Sequence, residues 1–255
     1  MDSTPSGNAH IVVRDLTMAY GSYVLMRDLD FEIGRGEIFF IIGGSGSGKS
    51  TLLRHMLGLK AAAKGDIRID GDLVSTEPEH MRDMLQHFGV LYQGGALWSA
   101  LTLTENVAVP LEEFTNLDPR EIERVASLKL ALVGLAGFER YYPSEISGGM
   151  QKRAALARAM ALDPEILFVD EPSAGLDPLS SRRLDDLILE LRDSLGATVV
   201  IVSHELSSVF GIGTNSVFLD AESKTMIATG NPRDLRDHSE HPTVRQFLNR
   251  GELDG

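Results

Sequence analysis

Ile38-Phe39-Phe40-Ile41-Ile42-Gly43-Gly44-Ser45-Gly46-Ser47-Gly48-Lys49-Ser50-Thr51 is the stretch whose reading decides the fold. Five continuous apolar residues, rich in Ile and Phe and closed by glycine, read as a strand buried on both faces. The next eight residues, Gly43 to Ser50, fit the pattern GxxxxGK[ST], and Gly48–Leu57 has helical spacing. Strand, glycine-rich loop and helix in that order form a P-loop. Its glycines bare backbone N–H groups that can curl around phosphate oxygens, and the helix N-terminus adds a favourable dipole. Lys49 is placed to reach the outer phosphates. The Ser50 hydroxyl, with Thr51 beside it, is placed at a divalent cation. A glycine-rich loop alone could be a plain turn; the Lys-Ser ending in this context argues for the phosphate reading.

Outward from this loop, Ile166–Val169 and Val199–Val202 are further buried strands, and Pro178–Ser194 is a helix. Alternation of such strands with helices predicts an α/β protein with a mostly parallel sheet covered on both sides. Ile11–Met18 and Leu29–Ile33 alternate instead, which predicts a small antiparallel β subdomain beside the core. Asp66–Ile69, Val217–Asp220 and Met226–Thr229 read as additional strands. The stretch 94–161 has helix-rich spacing and few strand signals, so it is expected to be an inserted helical subdomain. The expected organisation is a flexible N-terminus (1–8), a nucleotide-binding domain (9–230) and a charged tail (231–255). Within the tail, Pro242–Leu248 reads as a short helix.

Composition narrows the partners. Hydrophobic residues make up 43% of the 255, enough for a core-forming domain. The formal net charge of −13 argues against nucleic acid, whose binders usually present a basic surface. There is no cysteine, so no disulfide or Cys-ligated zinc is possible. The N-terminus has neither a basic stretch nor an apolar one and does not read as a signal peptide. No apolar run approaches the roughly 18–20 residues that span a bilayer, so a membrane role requires a partner.

Two further motifs carry chemistry. Glu165-Ile166-Leu167-Phe168-Val169-Asp170-Glu171 is a buried strand ending in two carboxylates, a Walker B pattern. Strand alternation is expected to turn Asp170 toward Mg²⁺ and Glu171 toward an attacking water, within reach as a general base. Ile146-Ser147-Gly148-Gly149-Met150 precedes the helical run Gln151–Leu162. Ser147 is a good N-cap, and the two glycines expose N–H groups, giving a second phosphate-binding helix start.

With both Walker motifs present, this stretch resembles the signature motif of the ABC ATPases, and the resemblance extends over nearly the whole chain. It implies that the signature of one subunit closes over ATP held by the P-loop of a second copy, so the working form is a head-to-tail dimer. By the same resemblance Tyr20 looks like the aromatic that stacks on adenine. Gln93 looks like the Q-loop glutamine near Mg²⁺, Asp177 like the D-loop residue, and His204 like the switch histidine at the γ-phosphate. ATP and Mg²⁺ are the implied cofactors. Met150 stands where many relatives carry Gln, and Gly44 where many carry Pro or a bulkier residue; neither removes a phosphate contact.

Tyr92-Gln93-Gly94-Gly95-Ala96-Leu97-Trp98, the Met150 variant and the tail stretch Pro242–Leu248 resemble the Mla/Mce-type lipid transporter ATPases. That resemblance implies phospholipid, or another hydrophobic molecule, as cargo at a bacterial inner membrane. It also implies an integral-membrane permease, an Mce-type lipid-binding protein and a STAS-domain regulator as partners. Leu97, Trp98, Leu101 and Leu103 could be core or a docking surface. The apolar face of Val244, Phe247 and Leu248 could contact a second subunit or pack on its own domain. Rival readings are an importer of another small substrate, a soluble ABC ATPase of DNA repair or translation, and a regulator without turnover. The single cassette and missing cysteines argue against the second, and intact Glu171 and His204 against the third.

Overall fold

A computed structural model describes residues 7–250; the remaining residues of the expected flexible N-terminus and of the tail lie outside them. The chain divides into two compact units. One combines 1–82 with 198–255, and the other is the intervening 83–197.

The first unit opens with β1 (Ala9–Tyr20) and β2 (Tyr23–Gly34), then β3 (Ile38–Gly43), α1 (Lys49–Met56), β4 (Lys64–Ile69) and β5 (Asp72–Leu73). β1 pairs antiparallel with β2 and β4, in a four-stranded sheet ordered β2-β1-β4-β5. Alternation in Ile11–Met18 thus marks a true antiparallel ladder. The chain returns to this unit with β8 (Thr198–Val202), α7 (Leu206–Ile212), β9 (Asn215–Asp220) and β10 (Thr225–Gly230). β3 lies between β8 and β9, parallel to both, and β10 adds an antiparallel edge. Every residue of β3 and β8 is buried, as continuous apolar runs in a parallel layer require.

The unit closes with α8 (Pro232–His238) and α9 (Pro242–Leu248). Val244 and Leu248 are fully buried, and the Phe247 ring meets Phe218 of β9 edge-on at 5.2 Å. Val244 and Leu248 of the tail's apolar face therefore pack on their own unit. Burial of each aliphatic side chain contributes about 1.5–3 kcal/mol, which a free tail would forgo.

The second unit contains β6 (Phe88–Leu91), α3 (Leu103–Phe114), α4 (Pro119–Leu132), a 3-10 turn (Pro143–Glu145), α5 (Gly148–Ala159), β7 (Ile166–Asp170) and α6 (Pro178–Leu195); α2 (Pro78–Leu85) leads into it. The stretch 94–161 holds three α-helices and no strand among the described residues. β6 runs parallel to β7. The sequence hides β6, because Phe88-Gly89-Val90-Leu91 is short and carries a glycine, a residue that weakens strands. The reason for that glycine is tertiary: a Cβ on Gly89 would lie 2.3 Å from the Ala159 carbonyl, so the end of α5 could not approach the strand.

Candidate nucleotide-binding site

In the first unit the loop after β3 keeps its shape through its own backbone. Gly43 has φ +147° and pairs with Leu219 of β9. A Cβ there would lie 2.3 Å from the Leu219 carbonyl and 2.9 Å from Ser47 Oγ, so only glycine fits. Gly46 and Gly48 also have positive φ, and Gly48 is the N-cap of α1. A Cβ on Gly44 or Gly46 would meet nothing within 4 Å, so this rim of the loop faces open space. Lys49 Nζ donates to the Gly43 and Gly44 carbonyls at 2.9 Å each. Ser47 is fully buried, and its hydroxyl has no hydrogen-bond partner.

Parallel register brings His204 to the same place. Ile41 pairs with Val202, so Gly43 and His204 each stand two residues further, at the carboxyl ends of adjacent strands, where open α/β sheets bind ligands. His204 is exposed there. Tyr20, at the end of β1, is half exposed, and its hydroxyl lies 3.4 Å from Thr51 Oγ1 on α1. Thr51 and the Lys60 ammonium both hold the Tyr20 phenol below its usual pKa.

The second unit repeats the arrangement. Leu91 pairs with Val169, which puts Gln93 and Glu171 two residues beyond, again at the carboxyl ends of parallel strands. Asp170 is the last residue of β7. Glu171 lies outside the strand and has φ +48°. Glu171 thus follows the strand through a left-handed residue, outside the alternation of β7. A non-glycine residue held in that region carries strain of order 1–3 kcal/mol, typical of functional positions.

Ser147 caps α5 and accepts from the Met150 N–H at 3.3 Å. Gly148 and Gly149 form the first turn, where backbone donors lack intrahelical partners. A Cβ on Gly148 would meet nothing within 4 Å. Asp177 caps α6, accepting from the Leu179 and Ser180 N–H groups at 3.1 and 3.0 Å and from Ser180 Oγ at 2.6 Å. These bonds, the Ser180 hydroxyl first, hold its carboxyl below the usual carboxylate range.

Sequence reasoning missed what holds the loop after β6. Lys152, buried on α5, donates to the Gln93 carbonyl. Arg158, further along α5, donates to the Ala96 and Gly95 carbonyls at 2.6 and 2.9 Å. Burial pushes the Lys152 amine down, opposed by the charges of Asp170 and Glu171. One helix therefore starts at the exposed N–H groups of Gly148 and Gly149 and also fastens the Gln93 loop. The fully buried Asn106 orders the next residues. Its Oδ1 accepts from the Trp98 N–H at 2.7 Å, and its Nδ2 donates to the Trp98, Leu101 and Thr102 carbonyls at 2.9–3.1 Å. The only available signal was composition: two cations and an asparagine at positions that helical spacing turns inward.

Trp98 itself is 61% exposed, whereas Leu103 is buried. The apolar cluster thus splits, Leu103 going to the core and Trp98 to the surface. The second unit also opens a cavity of about 280 Å³, lined by Tyr92, Val109, Pro110, Phe114 and Arg158 among others.

A P-loop that caps a helix, a strand ending in Asp170 and Glu171, and a second glycine-rich helix start define a nucleotide-binding ATPase. The chain belongs to the ABC transporter family, whose profile matches residues 26–174. It is 40% identical to the "Probable ribonucleotide transport ATP-binding protein mkl" of Mycobacterium leprae, over 96% of this chain and 70% of that protein. It is 38% identical to the intermembrane phospholipid transport system ATP-binding protein MlaF of Haemophilus influenzae, over 96% of this chain and 92% of that protein. Among solved structures it resembles cbiO1 of Clostridium perfringens, part of an ABC transporter complex, with TM-score 0.83, 25% identity and 97% of each chain covered. It also resembles a dimeric ATP-binding cassette in a post-hydrolysis state with ADP and Pi, with TM-score 0.78 and 26% identity over 87% of this chain and 98% of that one. The chain is accordingly an ATP-binding ATPase subunit of the transporter class, as its motifs implied. Among the described residues no helix is long and apolar enough to cross a membrane.

Proposed function

We propose that this chain hydrolyses Mg-ATP as a head-to-tail dimer and thereby powers the movement of phospholipid by a membrane permease at the bacterial inner membrane. The observation that carries the mechanism is the repeated use of glycine-rich helix starts, before α1 with open space at Gly44 and Gly46, and at the first turn of α5 with open space at Gly148. The P-loop amides from Gly43 to Ser50, with Lys49, hold the triphosphate. The orphaned Ser47 hydroxyl fits a loop whose bonds a polyphosphate completes. Ser50, Asp170 and Gln93 offer only oxygen donors, which suits Mg²⁺. When bound, the ion neutralises charge on the phosphates.

Tyr20 stacks on the base. Ser147, Gly148 and Gly149 of the second copy approach the γ-phosphate, and Asp177 lies at the contact between copies. Glu171 takes the proton of the attacking water as its oxygen bonds to the γ-phosphorus. The bond to the bridging oxygen breaks, and ADP leaves with that electron pair. His204 contacts the γ-phosphate at the end of β8. Dimerisation is supported by the dimeric cassette that this chain resembles.

The permease is proposed to dock at Trp98, since a large exposed aromatic suits an interface anchor. Phospholipid is favoured because the MlaF relative is matched over 92% of its own length. An Mce-type lipid-binding protein and a STAS-domain regulator follow as expected partners. The mkl relative favours a second reading, in which the cargo is a ribonucleotide. The Glu171→Gln variant tests the mechanism: turnover falls about 10²–10⁴-fold, ATP binding persists, and sedimentation shows an ATP-dependent dimer. Hydrolysis near the wild-type rate would remove Glu171 from the mechanism. Stimulation of the reconstituted complex by ribonucleotides and not by phospholipid would select the second reading.

A further inference from the structure

Lys60 has no place in the mechanism above, yet its position is unusual. Its ammonium sits 2.9 Å from the centroid of the Tyr20 ring. Its Nζ is buried and has no hydrogen-bond partner. A buried cation left without hydrogen bonds is costly, and what it has instead is the negative face of a π system. The ring is fastened at its other end, with the Tyr20 hydroxyl 3.4 Å from Thr51 Oγ1 on the helix that opens with Lys49. Tyr20 remains 50% exposed. One face of the ring therefore carries Lys60, and the exposed part is left for a ligand.

We infer that Lys60 is a positioning residue for base recognition: it backs the Tyr20 ring and presents the opposite face to the adenine of ATP. This deepens the proposed role of Tyr20 and rests on it. Two effects act together. The cation fixes the ring plane before ATP arrives, which lowers the ordering cost of binding. It also draws electron density toward its own face, so the opposite face is less negative and stacks better on an electron-rich purine. Lys60 acts on the base through Tyr20, and its charge is not assigned to the phosphates, which belong to the P-loop.

The test measures affinities of the full-length chain for Mg-ATP and for inorganic tripolyphosphate by calorimetry, with thermal melts to verify folding. Lys60→Met keeps the length and loses the charge. It is expected to weaken ATP binding about two- to five-fold, the range of a partly exposed cation–π contact, and to leave tripolyphosphate binding unchanged. Lys60→Arg is expected to retain ATP affinity. In a Tyr20→Leu background, Lys60→Met should have no further effect on ATP.

Unchanged ATP affinity in a folded Lys60→Met overturns the inference. So does an equal loss for tripolyphosphate, which would make Lys60 a phosphate ligand. An undiminished loss in the Tyr20→Leu background also overturns it. If Lys60→Met does not fold, the Lys60→Arg and Tyr20→Leu chains decide: Lys60→Arg that folds but loses ATP affinity overturns the inference, and retention supports it. Tyr20→Leu with wild-type ATP affinity sinks the stacking reading itself, whereas weakened binding there leaves that reading standing even when Lys60 fails.

Discussion

Two loops follow parallel strands in this protein, and they are held in opposite ways. The loop after β3 shapes itself: Gly43, Gly46 and Gly48 supply positive φ, and Lys49 folds back onto carbonyls five and six residues away. The loop after β6 is tied from outside, by Lys152 and Arg158 of α5, whose partners lie 59 to 63 residues earlier in the chain. Glycine geometry is mainly a local device, although Gly43 also answers to Leu219 of β9. Side-chain straps are a remote device. They make the position of Gln93 depend on α5, and α5 begins at Ser147.

The comparison breaks most severely at Gly43. Gly43→Ala puts a methyl group against the Leu219 carbonyl at a φ that alanine avoids. Strain and overpacking together are expected to cost about 2–5 kcal/mol. A thermal melt should show the loss, and ATP titration should show binding abolished. Unchanged stability and ATP affinity would mean that the loop does not depend on its own backbone.

Arg158→Met tests the other device. It leaves the buried Gly95 without its carbonyl's donor, at a cost of about 1–3 kcal/mol, while water can replace the donor at the exposed Ala96. Hydrogen exchange should quicken in residues 93–98 and stay unchanged in residues 43–50. Equal quickening in both loops would end the distinction between them. The Asp177 cap is a smaller lever. Its carboxyl is held below its ordinary pKa, so it stabilises the fold above the unfolded value, and that contribution is lost as pH falls through the folded value. Asp177→Asn should flatten the acid side of the stability profile, read by thermal melts across acid pH. An unchanged acid limb would show that the cap adds nothing. The smallest effect belongs to Trp98→Ala. An exposed side chain outside any strap should change stability by no more than about 0.5 kcal/mol, while assembly with the permease weakens. A clear drop in the melt would return Trp98 to the core.

The difference between the loops also explains what could be read in the chain. Gly43 to Thr51, Asp170-Glu171 and Ser147 to Gly149 were legible because each motif carries its chemistry within a few consecutive residues. The buried runs at β3, β7 and β8 were legible because a strand covered on both faces needs unbroken apolar sequence. β6 was not, since its glycine answers to Ala159, about seventy residues away. Alternation was expected to run through Glu171, but β7 ends at Asp170 and Glu171 has φ +48°; a left-handed φ there leaves no mark in residue type.

By itself, then, the sequence determined the class of fold, the phosphate loop, the acidic strand end and the glycine-bared helix start. All of these are local patterns of hydrogen-bonding and conformational preference. Only the tertiary structure decided that α9 packs inward on Phe218, that Trp98 is exposed while Leu103 is core, that α5 straps the Gln93 loop, and that Lys60 stands over Tyr20. Those outcomes depend on which distant surfaces meet, and residue spacing along a chain does not encode the contact that selects between an inward and an outward face.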